Sequence, residues 1–485
     1  MLVEPGEPAA PLRPGGFALH PRSPGCVLEI WGEGPGLVRR IVETGVAGPG
    51  RLPLKARTFG AGEITLEIVD KAAGGARRLN RLDGMGRFTK FLTRLLAREF
   101  PLHRPSGLTA SPDLRRSLSS SYVRGVLKKG ADSWALIAAP LEASAEVCDQ
   151  MLTYGLLWLH DVRSRARDRH LAGLLLLLPE GRAGVTLQRI PWLDVAFAPC
   201  RVMEFDRNGA ARSRDVHDAP PLELALPVCV APPTPEGWVR ECAEELARLP
   251  GVAWRARPDG LLSFDVGGLS FARVGVRTLT YGLESDQAAT PKSVGRVFGL
   301  AEHLRRFRDV DPPDRAHPLY LHRPEAWLAQ KVREAPHSLS ASIVAESIYS
   351  GVPAIAGRDR GILDLLAMDV DGSLLVVELK ATEDIHLPMQ SLDYWIRVRT
   401  LAREGAFAAK GYFPGRTVSA DAPRLIFAAP SLHYHPQTDL LVRALSKEIS
   451  VERIGLGSDW RRRVSVEFRT PERFAGAAAT ETSEL

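Results

Sequence analysis

The sequence predicts an α/β protein: a mixed β-sheet flanked by helices, preceded by a small β-rich module. Three observations predict it. From about residue 350 onward the apolar patterns alternate strand, strand, helix, strand, helix, the order of a mixed sheet covered by helices. Two apolar runs, GILDLLAMD and SLLVVEL, meet at Val370-Asp371-Gly372, a three-residue connection suited to a hairpin with glycine in the left-handed position. Residues 1–75 instead carry short alternating runs, CVLEIWG and EITLEIVD, among many glycines and prolines.

At about 100–200 residues per domain, 485 residues suggest two to four domains. A hydrophobic content of 45% with 25% charged residues excludes wholesale disorder and fibrous repeats. The longest apolar run, LAGLLLLLP at 171–179, falls short of the roughly 18–20 residues a membrane span needs and reads as a core strand. The start, MLVEPGEPAAPLRPGG, has no basic stretch followed by an apolar one, so no secretory signal and a cytoplasmic location are expected. The cysteines (Cys26, Cys148, Cys200, Cys229, Cys242) are scattered without a C-x-x-C pair, which argues against a disulfide framework and against a zinc site.

Element by element, the expectation is a β-rich module over 1–75, a basic α/β domain over 76–235, a connecting α/β region over 236–320 and a chemistry-bearing domain over 321–485. In GMGRFTKFLTRLLAREFP the residues Phe88, Phe91, Leu92, Leu95 and Leu96 recur at helical spacing, with Arg87, Lys90, Arg94 and Arg98 on the opposite face. Between Arg77 and Lys129 thirteen Lys/Arg face three acids, a larger excess than the +6 of the whole chain, which fits either a solvated basic face or one that contacts the phosphates of a polyanionic partner. Arg163, Arg165, Arg167, Arg169 and Arg461 to Arg463 would extend that surface. The Pro-rich stretch at 218–237 marks a boundary near 235, and helices are expected over WVRECAEELARL, SVGRVFGLAEHLRRF and about 324–335 and 340–350, with a closing hairpin at 449–469.

The chemistry lies in GILDLLAMDVDGSLLVVELKATED. A three-residue turn sets Asp364 directly opposite Glu378, both leaving one face, and Lys380 shares that face two residues on. Leu374, Leu375, Val376, Val377 and Leu379 mark a strand covered on both sides, where an unpaired charge costs on the order of several kcal/mol. A hard divalent cation such as Mg²⁺ relieves two facing carboxylates, and the lysine can stabilise a phosphorane or activate a water. Gln390 and Tyr394 share one face of the next helix, and Glu346 is expected on the apolar stripe of the 340–350 helix with Leu339 and Ile343.

Glu346, Asp364, Glu378-Leu379-Lys380 and Gln390-x-x-x-Tyr394, taken in order over roughly residues 325–430, resemble the PD-(D/E)XK nuclease superfamily, in particular the Gln-x-x-x-Tyr branch of RecB-like and NucS-like nucleases. The resemblance implies a restriction-endonuclease-like fold with a four-stranded mixed sheet, and Mg²⁺ or Mn²⁺ held by Asp364, Glu378 and the Leu379 backbone carbonyl. It also implies phosphodiester hydrolysis of DNA with Lys380 near the attacking water, Glu346 assisting the metal or its water, and Gln390 and Tyr394 orienting the site or touching DNA. Leu363 stands where the family name has proline.

An ungapped shift of 240 positions lays residues 121–158 over 361–398, matching Ser133, Gln150, Leu152 and Tyr154 to Ser373, Gln390, Leu392 and Tyr394. It puts Arg124, Ala138 and Pro140 where Asp364, Glu378 and Lys380 stand, so the expectation is a duplicated fold whose first copy has lost the chemistry. The expected partner is DNA, with RNA left open, a homodimer allowed and no membrane. Against the nuclease stand a catalytically inactive nucleic-acid-binding or scaffold protein and a hydrolase of small phosphoesters; the latter lacks the His and Asp clusters of di-metal phosphatases.

Overall fold

A computed structural model describes residues 2–3, 17–21, 26–30, 37–45, 51–57, 63–69, 75–113, 116–130, 132–165, 170–224, 226–283, 285–353 and 362–470. The first strands are β1 (Leu2–Val3), β2 (Phe17–Pro21), β3 (Cys26–Ile30), β4 (Leu37–Thr44), β5 (Arg51–Arg57) and β6 (Glu63–Val69). They pair antiparallel in the order β1-β6-β5-β4-β3-β2. Period-two alternation turns Leu28, Ile41, Leu54, Ala56 and Leu66 to one buried face.

The next elements are α1 (Gly75–Glu99), β7 (Arg104–Thr109), β8 (Val123–Lys129), β9 (Asp132–Ala138), α2 (Ala145–Arg165), β10 (His170–Pro179), α3 (Gly184–Arg189), β11 (Cys200–Phe205) and β12 (Ala211–Arg214). They form a six-stranded mixed sheet, β7-β8-β9-β10-β11-β12, with β9, β10 and β11 parallel. The apolar run 171–179 is its central strand, buried on both faces as parallel strands must be. Helix α1 packs Phe88, Leu92, Leu95 and Leu96 against Leu136, Ala138, Leu175 and Leu177. Helix α2 covers the other face, where Gly155 allows contact with Leu174 and Ile137.

Next along the chain come α4 (Gly237–Arg248), β13 (Val252–Ala256), β14 (Leu262–Val266), β15 (Leu269–Val274), β16 (Leu279–Tyr281), β17 (Gln287–Ala288), α5 (Gly295–Phe307), α6 (Pro318–Leu321) and α7 (Pro324–Glu334), an antiparallel five-stranded sheet backed by helices.

The last elements are β18 (Ile343–Pro353), β19 (Ile362–Asp369), β20 (Leu374–Leu379), α8 (Leu387–Arg403), α9 (Ala406–Ala409), β21 (Arg424–Pro430), α10 (Thr438–Arg443), β22 (Val451–Leu456) and β23 (Val466–Arg469). The sheet order is β18-β19-β20-β21-β22-β23, with β20, β21 and β22 parallel and the expected hairpin at its end. Six strands replace the four implied by the resemblance. Pairing directions along this sheet repeat those of the β7 to β12 sheet strand for strand.

Two expectations are corrected here. Residues 343–353 are a strand, not a helix over 340–350: Ile343, Val344, Ile348 and Tyr349 favour extended backbone, and a bulge between Ile343 and Ile348 breaks the alternation that would have revealed it. The ungapped shift also fails at the hairpin. Lys129 pairs with Asp132 across a two-residue loop, whereas the second hairpin turns through Val370-Asp371-Gly372. Val123, not Arg124, therefore lies opposite Ala138.

The chain divides into two compact units. One comprises Met1–Arg81, Pro227–Glu334 and Arg461–Arg463; the other comprises Leu82–Leu226, Ala335–Trp460 and Val464–Leu485 and holds both mixed sheets.

Candidate metal-dependent active site

The site begins with strand register. Leu365 pairs with Val377 and Leu366 with Val376, so the step beyond the last regular pair sets Asp364 across from Glu378, as the three-residue loop requires. Gly372 makes that loop possible with φ of +88°. Half-buried Asp364 accepts a hydrogen bond through Oδ2 from the Leu379 backbone N–H at 2.9 Å.

Every residue of β20 is buried, Glu378 included. Its Oε1 lies 3.5 Å from Lys380 Nζ, while its Oε2 is buried with no hydrogen-bond partner. Burial, and then the neighbouring Asp364 charge, push the Glu378 carboxyl well above the usual range, with Lys380 opposing them. Lys380 Nζ also lies 3.2 Å from Asp384 Oδ2 and donates to Gln390 Oε1 at 3.2 Å. Burial disfavours its charge, but Glu378, Asp384 and Asp364 together override that and hold the ammonium above its ordinary pKa.

Helix α8 supplies Gln390 and Tyr394 from one face. The Tyr394 hydroxyl is raised by burial and then by Glu378 and Asp364, so it stands in their field. Asp364, Glu378, Lys380 and Gln390 thus come together, with Tyr394 buried on the α8 face that presents Gln390. Glu346 does not: it is exposed in the bulged stretch of β18, outside the hydrogen-bonded cluster. In its place the structure brings Asp384, whose Oδ1 accepts from the His386 N–H at 2.8 Å ahead of α8. No periodicity links Asp384 to the strand. Its only sequence signal is a helix-start pattern, an aspartate shortly before Pro388 in the first turn.

Among the described residues no group of three or more His, Cys, Asp or Glu side chains is placed to cage a metal. The carboxylates brought together here are two, Asp364 and Glu378, a small donor set of the kind that suits Mg²⁺ because that ion keeps several waters. The unpartnered Glu378 Oε2, buried beside a second carboxylate whose charge Lys380 offsets only in part, is an oxygen a divalent cation would satisfy, so the residues fit the ion.

At the corresponding place in the first sheet, Val123 and Ala138 face each other, both buried, and Pro140 follows. Arg124 instead donates to the carbonyls of Ser111 and Ser119 and lies over Trp158. On α1 the side chains of Arg87, Lys90 and Arg94 are exposed as expected. Arg98 is engaged with Glu99 and the Gly209 carbonyl. Four supposed extensions of the basic surface are otherwise occupied: Arg163 donates to the Phe197 carbonyl, Arg165 pairs with Asp161, Arg461 lies over Tyr320 and Trp327, and Arg462 pairs with Asp311 at 2.7 Å. Arg167 and Arg169 lie outside the described residues. Among the described residues no helix is long and apolar enough to cross a membrane. No family model and no curated protein matches the chain.

Proposed function

We propose that this protein is a Mg²⁺- or Mn²⁺-dependent nuclease that hydrolyses phosphodiester bonds of DNA, with a restriction-endonuclease-like catalytic half and a first half that is a duplicate of it without the chemistry. The observation that carries the reading is the convergence of Asp364, Glu378 and Lys380 where β19 and β20 part, with a buried Glu378 oxygen left without a partner. Duplication is supported by two sheets with the same strand order and pairing directions, each bearing a helix with Gln-x-x-x-Tyr.

In this reading Asp364, Glu378 and the Leu379 carbonyl hold the cation, which supplies charge neutralisation at the scissile phosphate when bound. Lys380, kept protonated by its three carboxylate neighbours, places a fixed positive charge where the phosphorane develops and orients the attacking water. Gln390 fixes the Lys380 rotamer through its Oε1, and Tyr394 lies buried on the same face of α8. The fold class leaves DNA ahead of small phosphoesters, because a lone two-carboxylate site lacks the ligands of a di-metal phosphatase.

The test is cleavage of single-stranded, duplex, mismatched and branched DNA and of RNA with Mg²⁺ or Mn²⁺, alongside Asp364→Ala and Lys380→Ala. Both variants are expected to stay folded and to lose at least ~10²-fold in rate. Equal cutting by wild type and both variants would remove the site from consideration.

A further inference from the structure

The half without the metal ligands touches the other half at the elements that carry Lys380's partners. Arg189, at the end of α3 and 5% exposed, grips Asp393 with two bonds, Nε to Oδ1 at 2.8 Å and Nη2 to Oδ2 at 2.7 Å. Its remaining nitrogen donates to the Asp149 carbonyl of α2 at 2.5 Å. Asp393 sits on α8 between Gln390 and Tyr394, so a guanidinium fork from the first half fixes both the distance and the rotation of the helix that presents them.

The turn before α8 is fastened the same way. His386 Nδ1 lies 3.3 Å from Thr153 Oγ1 of α2, and its ring meets Tyr154 edge-on at 5.4 Å. His435 Nε2 lies 3.2 Å from Ser117 Oγ and 3.5 Å from Glu383 Oε1. Asp384, which holds Lys380, therefore lies in a turn tied at Glu383 and at His386. Within its own half the turn is held by Asp384, which accepts from the His386 and Leu387 N–H groups, and by His433 at the Ala381 carbonyl; each bond to the first half removes further conformers in which Lys380 would lose its partner.

We propose that the metal-less half is a built-in clamp for the lysine side of the site, with Arg189 and Thr153 as positioning residues; the proposal rests on the nuclease reading. Neither residue touches the reacting atoms. Both act through α8 and the 383–386 turn.

The experiment uses the full chain with Arg189→Lys, Thr153→Val and Thr153→Ser. It measures amide hydrogen exchange over 381–394 and, in parallel, kcat and KM for duplex cleavage with Mn²⁺. Arg189→Lys keeps charge but loses the fork, and Thr153→Val removes the hydroxyl at constant shape. Each is expected to speed exchange over 381–394 about tenfold, leave β9 and β10 unchanged, and lower kcat about tenfold with KM constant. Thr153→Ser restores wild-type exchange. Exchange needs no turnover, so a wild type that cuts nothing refutes the nuclease reading while the exchange data still decide the clamp. Wild-type exchange over 381–394 in both Arg189→Lys and Thr153→Val, or an increase spread evenly over both sheets, would overturn the clamp. If Arg189→Lys fails to fold, the Thr153 pair alone decides.

Discussion

Asp364 and Leu379 are joined by a 2.9 Å hydrogen bond from the Leu379 backbone N–H to the Asp364 carboxylate, one step beyond the last regular pair of β19 and β20. A side chain there replaces a ladder bond. The strands can part without stranding a buried N–H, and the carboxylate is fixed beside Glu378 rather than left to rotate into solvent.

The strain in that arrangement is electrostatic. Glu378 is buried beside a second carboxylate, so its folded pKa lies above the unfolded value of 4.5. A group raised in this way contributes stability fully present below pH 4.5 and lost as the pH rises through its folded pKa. At neutral pH and without metal the buried Glu378 carboxyl is therefore a burden. Glu378→Gln is expected to raise the melting temperature of the metal-free protein by about 2 °C or more at pH 7 in chelator. A variant that melts below wild type there would show that the Lys380 contact outweighs burial.

His386 has the opposite linkage. Burial pushes its imidazole from 6.5 down to about 4. The unfolded chain takes up a proton in that window and the folded chain does not, so stability is whole above 6.5 and is lost as the pH falls through about 4. Urea unfolding between pH 7 and pH 4 should show His386→Asn losing about 2–3 kcal/mol less than wild type.

Gly372 should tolerate no side chain. Its φ is +88°, and a Cβ built on it would lie 2.5 Å from the Thr417 carbonyl oxygen. Gly372→Ala is expected to cost about 1–3 kcal/mol, read as a lower urea midpoint at unchanged m-value. A neutral result would mean the hairpin can turn another way, and the Asp364 to Glu378 register would be open to slippage.

The exposed cations of α1 are expected to grip phosphates, but from the sheet face opposite α2. Replacing Arg87, Lys90 and Arg94 together with alanine should weaken duplex binding and flatten the dependence of log K on log salt by about 2–3, roughly 0.9 per lost contact. An unchanged slope in fluorescence anisotropy titrations would make this face merely solvated.

Much of the molecule was legible in the chain itself, because it depends on local rules. A three-residue turn with glycine permits one register, and that register alone put Asp364 across from Glu378 with Lys380 alongside. Amphipathic spacing marked α1, the Gln390 and Tyr394 spacing marked one face of α8, and the unbroken apolar runs marked β10 as a core strand and β20 as one covered on both faces. What depended on long-range pairing was not legible. Glu346 sat at helical spacing from Leu339 and Ile343, yet pairing with β19 drew the segment into a bulged strand and turned Glu346 to solvent. The shorter turn between Lys129 and Asp132 moved the first hairpin by one residue, which no ungapped comparison can register. Asp384 beside Lys380 and Arg189 on Asp393 join residues through loops and across sheets, where sequence spacing carries no geometric meaning. Period and turn chemistry are set by neighbours in the chain; which charge meets which is settled only when the sheets pack.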